Sequence, residues 1–171
     1  MEEQQMPATG ELRQHLHDLL SQFSTTILVT HEPDGGLRGS PMGIARLEDD
    51  CRIWFFTMAD TNKTREISQD NRVLIVCQNE QSAYLSLSGQ AELVIDRAKI
   101  AELWQESFKV WFPEGKDDPN IELIHVHPLH GEFWDSQGLN KIQYLFEAAK
   151  AYVTGTTPDT KEGEQHGFVR L

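Results

Sequence analysis

The sequence predicts an α+β fold built around an antiparallel β-barrel, and three observations carry that expectation. Six or seven short runs rich in β-branched and aromatic residues are bounded by Gly, Pro and Asp turns. Segments of helical period stand between hairpins. No regular strand–helix–strand alternation appears, which argues against a parallel sheet.

Leu12, Leu16, Leu19, Leu20 and Phe23 recur at helical spacing, so residues 10–23 read as an amphipathic helix after a loose start over residues 1–9. Thr25 to His31 is strand-like, Glu32-Pro33-Asp34-Gly35-Gly36 is a strong turn, and Leu37 to Leu47 is the returning strand of a hairpin. Asp49-Asp50 turns the chain into the apolar strand Arg52 to Thr57. A short helix follows over 61–69, then a buried strand at Val73 to Cys77. Between Ala83 and Asp96 the alternation sets Leu85, Leu87, Ala91, Leu93 and Ile95 on one face and Tyr84, Ser86, Ser88, Gln90 and Glu92 on the other, with Gly89 marking a bulge or bend.

Asp96 can cap a helix whose buried stripe is Ile100, Leu103, Trp104 and Phe108, ended by Pro113-Glu114-Gly115. Two short strands are expected at Ile121 to His127 and Gly131 to Asp135, separated by Pro128. A last helix carries Leu139, Ile142, Leu145, Phe146 and Ala149 on one face. Residues 10–153 thus read as one domain, followed by a polar tail over 154–171.

At 171 residues with 39% hydrophobic content, the chain suits one domain with a sizeable core. A net charge of −12 and a pI near 4.9 argue against a nucleic-acid backbone or an anionic membrane as the main partner. Cys51 and Cys77 stand far apart and in no metal spacing, so no disulfide framework or zinc knuckle is implied. A cytoplasmic location is the expectation, since Met1 to Met6 is acidic and polar and no apolar run approaches a membrane span. Cys77 falls in an apolar strand, and Cys51 follows two acids that raise a thiol pKa. Neither is a catalytic candidate, and no nucleophilic triad can be drawn.

The junction from Ile53 to Ile67 is the most informative stretch. An aromatic strand runs into a polar helix start, where unpaired N–H groups and a partial positive charge suit a phosphate. Lys63 and Arg65 add charge there, and Thr57, Thr61 and Asn62 add hydrogen bonds. An ordinary strand followed by a capped surface helix explains the same residues.

Several blocks in one order resemble the general stress proteins of the pyridoxamine 5′-phosphate oxidase-like superfamily, the FMN-binding split barrels. They are Ser40-Pro41-Met42, Trp54-Phe55-Phe56-Thr57, Asn62-Lys63 with Glu66-Ile67, Tyr84 to Leu93, and Trp111 to Pro119. The resemblance implies a homodimer holding FMN at each of two clefts between subunits. It sets Ser40, Pro41 and Met42 along the isoalloxazine through main-chain contacts, Phe56 and Thr57 at the flavin or its ribityl chain, and Lys63 at the phosphate, with Asn62 of the same block a further cofactor-binding candidate. Trp111 and Trp134 would lie near the ring, one of them from the partner subunit.

The chain also departs from the pattern. Relatives carry Ser-Arg-Pro-Met where this chain has Gly39-Ser40-Pro41-Met42, and Arg38, on the same strand side as Ser40, is the candidate replacement. Apart from Arg46 the basic strand motif of the true oxidases is absent, and Phe168 to Leu171 does not resemble their substrate-binding tail. These departures argue against oxidation of pyridoxine phosphate. The resemblance leaves two uses for the flavin: an oxidoreductase acting on a small molecule, or a carrier or redox sensor without turnover. From a different class comes a cupin-like metal site built on His125, His127 and Glu132, two histidines sharing a strand face with a following carboxylate, but the motif's preceding glycine and later histidine are missing, and solvent-facing or hydrogen-bonded histidines explain the same residues.

Overall fold

Thr25–His31 (β1) and Leu37–Leu47 (β2) form the expected hairpin, paired from Thr25↔Gly43 to His31↔Leu37 in the computed structural model, which describes residues 9–79, 83–135 and 166–171. The turn closes through Glu32 N–H to Gly36 O at 2.9 Å, and Gly35 takes φ 89°, a left-handed value that a residue without Cβ adopts freely.

The remaining elements are α1 (Thr9–Leu20), β3 (Ile53–Met58), α2 (Asn62–Gln69), β4 (Arg72–Gln78), β5 (Ala83–Val94), α3 (Arg97–Leu103), a 3-10 helix (Glu106–Val110), β6 (Ile121–Asp135) and β7 (His166–Arg170). The strands lie in the order β3-β2-β1-β4-β5-β6-β7, and a further β3–β6 pairing closes the first six into an antiparallel barrel. β6 changes partners along its length: Ile121–Val126 pairs with β3, while His130–Trp134 pairs with β7. That divided edge gives the split barrel that the sequence led us to expect.

Inward residues follow the period of two. Leu28, Ile53, Phe55, Ile75, Leu85, Leu87, Ile124, Val126 and Phe133 join Leu16, Leu19 and Leu20 of α1 in the main core. A second core lies on the outer face of β3 and β6, where Trp54, Phe56, Ile121 and Leu123 meet Ile100, Leu103 and Phe112.

Three expectations are corrected. Pro128 does not separate two strands: β6 is continuous, and Pro128 pairs with Gly89 while Leu129 is the extra residue of a bulge. Proline lacks an N–H to give to a ladder, and a bulge is where that loss is tolerated. The helix begun at Asp96, whose side chain accepts from the Ala98 and Lys99 amides, stops at Leu103. Trp104 is extended, and the chain re-forms as the 3-10 turn. Trp104, Phe108 and Phe112 all reach Phe56, with ring centroids 5.8, 5.0 and 5.9 Å away. One straight helix would spread these positions over about 12 Å. Finally, Ile95 falls past the end of β5 and is exposed instead of facing the core.

The helix expected over 139–152 lies outside the described residues. Within the expected polar tail, His166–Arg170 is a strand that buries Val169. No helix among the described residues is long and apolar enough to cross a membrane.

Candidate functional site

β3 passes through Thr57 into Asp60, which takes the left-handed φ of 58°, and then into the N-cap Thr61. Thr61 and Thr64 form a reciprocal capping box: the Thr61 hydroxyl accepts from the Thr64 amide and the Thr64 hydroxyl accepts from the Thr61 amide. Among the described residues nothing accepts from the Asn62 and Lys63 amides, so two N–H groups stay open at this helix start.

Lys63 is half-buried, and burial pulls its ammonium pKa below the ordinary lysine value, with Glu66 opposing. Among the described residues it makes no ion pair. Arg65 is different: it binds Asn62 Oδ1 at 2.6 Å and Asp60 Oδ1 at 3.2 Å on the surface. Lys63 is therefore the cation of this turn that a ligand anion would meet.

One turn along α2, Glu66 is 4% exposed and ties three elements together. Its Oε2 accepts from Thr30 Oγ1 of β1 at 2.6 Å, and its Oε1 accepts from Arg38 Nε of β2 at 2.8 Å. Burial works to raise the Glu66 pKa, and the Thr30 hydroxyl and Arg38 guanidinium outweigh it, leaving the carboxyl below its ordinary value. Arg38 also pairs with Glu32. Its guanidinium is thus held by two carboxylates, and it offers no free charge in place of the arginine that the resemblance leads one to expect at the position of Ser40. Arg46 is likewise engaged, with Glu102.

The register fixes where the other candidate residues point. Arg38, Ser40 and Met42 pair with Thr30, Leu28 and Thr26 on the inward face, and Met42 joins the main core. Pro41 lies opposite Ile27 and is exposed on the outer face. Thr57 is buried on the inward side of β3. Phe56 points outward into the second core, so what it can offer a ligand runs through its main chain. Trp111 follows the 3-10 helix and is 77% exposed, while Trp134 is exposed on β6 and stacks on His166 with centroids 5.0 Å apart.

The fold thus brings Lys63, Arg38, Thr30 and Glu66 together, leaves Phe56 in a separate core, and leaves both tryptophans open to solvent. Glu66 and Thr30 were missed by the sequence reading. The signal was there in Glu66 beside Ile67, a carboxylate bordering the buried side of a short helix.

The metal reading needs a different third residue. Glu132 is hydrogen-bonded to His166 at 2.7 Å, and the carboxylate beside His125 and His127 is Glu92 of β5.

The chain matches the family model described as pyridoxamine 5′-phosphate oxidase like over residues 11–159. It is 25% identical to general stress protein 26 of Bacillus subtilis (strain 168) over 124 residues, covering 69% of this chain and 84% of that protein. A crystal structure from Jannaschia sp. CCS1, assigned as general stress protein 26, superposes with a TM-score of 0.69 at 26% identity, covering 96% of this chain and 100% of that one. The general stress FMN/FAD binding protein of Xanthomonas citri superposes with a TM-score of 0.63 at 26% identity, covering 77% and 93%.

Proposed function

We propose that this chain, which belongs to the pyridoxamine 5′-phosphate oxidase-like family, is an FMN-binding general stress protein whose flavin serves the oxidation or reduction of a small molecule. The observation that carries the reading is the start of α2: a half-buried Lys63, unpaired among the described residues, stands beside two open amides. Lys63 makes no ion pair, since the nearby Glu66 carboxylate is already held by Thr30 and Arg38, and a phosphate dianion supplies a close partner for Lys63 and for those amides. The Xanthomonas citri relative, described as FMN/FAD binding, supports a flavin as the bearer of that phosphate.

Lys63 and the Asn62 amide would hold the phosphate. Thr57 and the main chain of Ser40 to Met42 would border the ring system, and Trp111 and Trp134, exposed in the single chain, would cover it. When bound, the flavin supplies the redox chemistry, and the protein supplies orientation and field. A second copy of the chain completes the cleft in this reading. Its support is an exposed apolar band on the outer face of β2, β1 and β4, where Pro41, Ile27 and Val76 are cross-strand neighbours.

A flavin carrier or redox sensor without turnover is the second reading. It is favoured by the state of Glu66, the carboxylate beside Lys63 and Arg38: held ionised by Thr30 and Arg38, it has no proton to give.

The visible spectrum of the purified protein, repeated after adding FMN and removing excess, tests flavin binding. Retained flavin bands are expected. A protein that stays colourless and fails to hold added FMN overturns the reading. Turnover of reduced nicotinamide by the holoprotein separates the oxidoreductase from the carrier.

A further inference from the structure

We propose that Glu92, His125 and His127 form a binding site for a borderline divalent cation such as Zn2+ on the outer face of the barrel. The site follows from register. His125 and His127 are two apart on β6 and share a face, and Glu92 of β5 is the direct cross-strand partner of His125. One donor atom from each of the three lies within 4.8 Å of the others. His127 Nε2 is 3.7 Å from Glu92 Oε2, and the two imidazole centroids are 4.2 Å apart.

A second observation points to a ligand. His125 is 7% exposed, and its Nε2 has no hydrogen-bond partner among the described residues. Glu48 Oε2 approaches that nitrogen to 3.4 Å without the alignment of a hydrogen bond. The ring cannot turn away to water, because it stacks on Trp54 with centroids 3.7 Å apart and planes 8° from parallel. Trp54 is fixed in turn, its Nε1 donating to Glu48 Oε1 at 2.9 Å. A buried imidazole, stacked on Trp54 and with an Nε2 that makes no aligned hydrogen bond, thus stands beside a second imidazole and a carboxylate. A bound cation gives that nitrogen a partner.

Two nitrogens and one oxygen suit Zn2+ and its borderline neighbours better than Mg2+ or Ca2+, which prefer all-oxygen sets. Zinc bonds of about 2.0–2.2 Å to nitrogen and oxygen require the three donors to draw closer than they stand. The solvent-facing Glu92 and the half-exposed His127 can make that movement while His125 stays in place. Three protein ligands leave a fourth position, which a water or an external ligand fills in such sites. The simple alternative is two surface ion pairs, His127 with Glu92 and His125 with Glu48. It gives His125 Nε2 only the 3.4 Å approach of Glu48, without hydrogen-bond alignment, and it predicts no stoichiometric cation uptake.

The test uses the full-length protein, stripped with a chelator and dialysed, then titrated with Zn2+ by calorimetry and with Co2+ by visible absorption. One Zn2+ per chain is expected, with Co2+ ligand-field bands. His127→Ala and Glu92→Gln should each weaken Zn2+ binding by about tenfold or more, since loss of even a supporting group costs about 10–100-fold. Glu132→Gln, at the His166 contact, should leave the titration unchanged. The two informative variants lie on the exposed rim, so folding survives them, as a circular dichroism melt will verify. His125→Ala would open a cavity against Trp54 and is avoided. Absence of stoichiometric uptake overturns the proposal, as does uptake that both rim variants leave intact.

Discussion

Arg38 Nε and Glu66 Oε1 meet at 2.8 Å and so join β2 to α2, while Thr30 holds the other carboxylate oxygen from β1. The link fixes the helix whose first turn carries Lys63. Glu66→Ala should cost about 1–3 kcal/mol in urea unfolding, since it strands a buried Thr30 hydroxyl and removes a charge-assisted bond. The same link has an acid limit. The folded Glu66 pKa lies below its ordinary value of 4.5, so the contribution is present above pH 4.5 and is lost as pH falls through the folded value. The stability gap between wild type and Glu66→Gln should therefore narrow as unfolding is measured at progressively lower pH below 4.5. A gap that stays constant would remove ionised Glu66 from the account.

Lys63→Ala separates a phosphate site from a surface helix. Loss of a charge-assisted phosphate contact should weaken FMN by about 1.5–3 kcal/mol, on the order of ten- to a hundredfold. Riboflavin, which has the ring but no phosphate, should bind both proteins alike. Equal loss of both ligands would mean that Lys63 supports the fold and not the phosphate.

The thiols give an independent check on burial. Cys51 is fully buried, and burial first, then Asp50, push its pKa up to about 11 against the opposing charge of Arg13. Cys77 is raised by burial too, although the Thr26 hydroxyl beside it opposes the shift. Iodoacetamide at pH 8 should label neither thiol in the native protein and both after unfolding, as read by intact mass. Rapid native labelling of either would contradict the core described above.

Local patterns made much of the fold legible. The Glu32–Gly36 turn, the alternation of β5 up to Leu93 and the Asp96 cap each depend on near neighbours, and each forms as expected. What escaped depends on distant pairing. Closure of β3 on β6 sets Trp54 beside His125, and β5 pairing sets Glu92 there too, whereas the linear sequence offers only Glu132 as a carboxylate that follows the two histidines. The break at Trp104 escaped for a similar reason, since Phe56, the ring that it lets Trp104, Phe108 and Phe112 share contact with, lies far back along the chain. Lys63 was legible as a candidate through its helix start together with its place in the block that resembles the family, since the helix start alone is equally a capped surface helix. That Arg38 is held by Glu66 and Glu32 was not, because charge pairing between strand, turn and helix leaves no periodic trace.

Gly89 should be intolerant of any side chain. A Cβ there would stand 2.7 Å from Pro128 Cα and closer still to the His127 carbonyl oxygen, both backbone atoms of the bulged partner strand. Backbone cannot swing aside as a side-chain end can, so Gly89→Ala should cost about 1–3 kcal/mol or more in urea unfolding. A neutral Gly89→Ala would mean that the β5–β6 bulge relaxes freely.

The band of Pro41, Ile27 and Val76 decides whether two chains share the site. Ile27 is 41% exposed and Val76 37%; Ile27 sits between Pro41 and Val76, while Val76 sits between Ile27 and Ser86. Both point outward, so Ile27→Lys leaves the main core untouched and adds a solvated charge to the monomer. In a dimer packed on this band the same lysine is buried without a counter-ion, a cost large enough to dissociate it. Sedimentation at micromolar concentration should give a dimer for wild type and a folded monomer for Ile27→Lys. If the flavin cleft lies between subunits, that monomer should also lose FMN while keeping its circular dichroism spectrum. A monomeric variant that keeps wild-type FMN affinity would put the whole cofactor site within one chain, and a variant that stays dimeric would move the interface to another face.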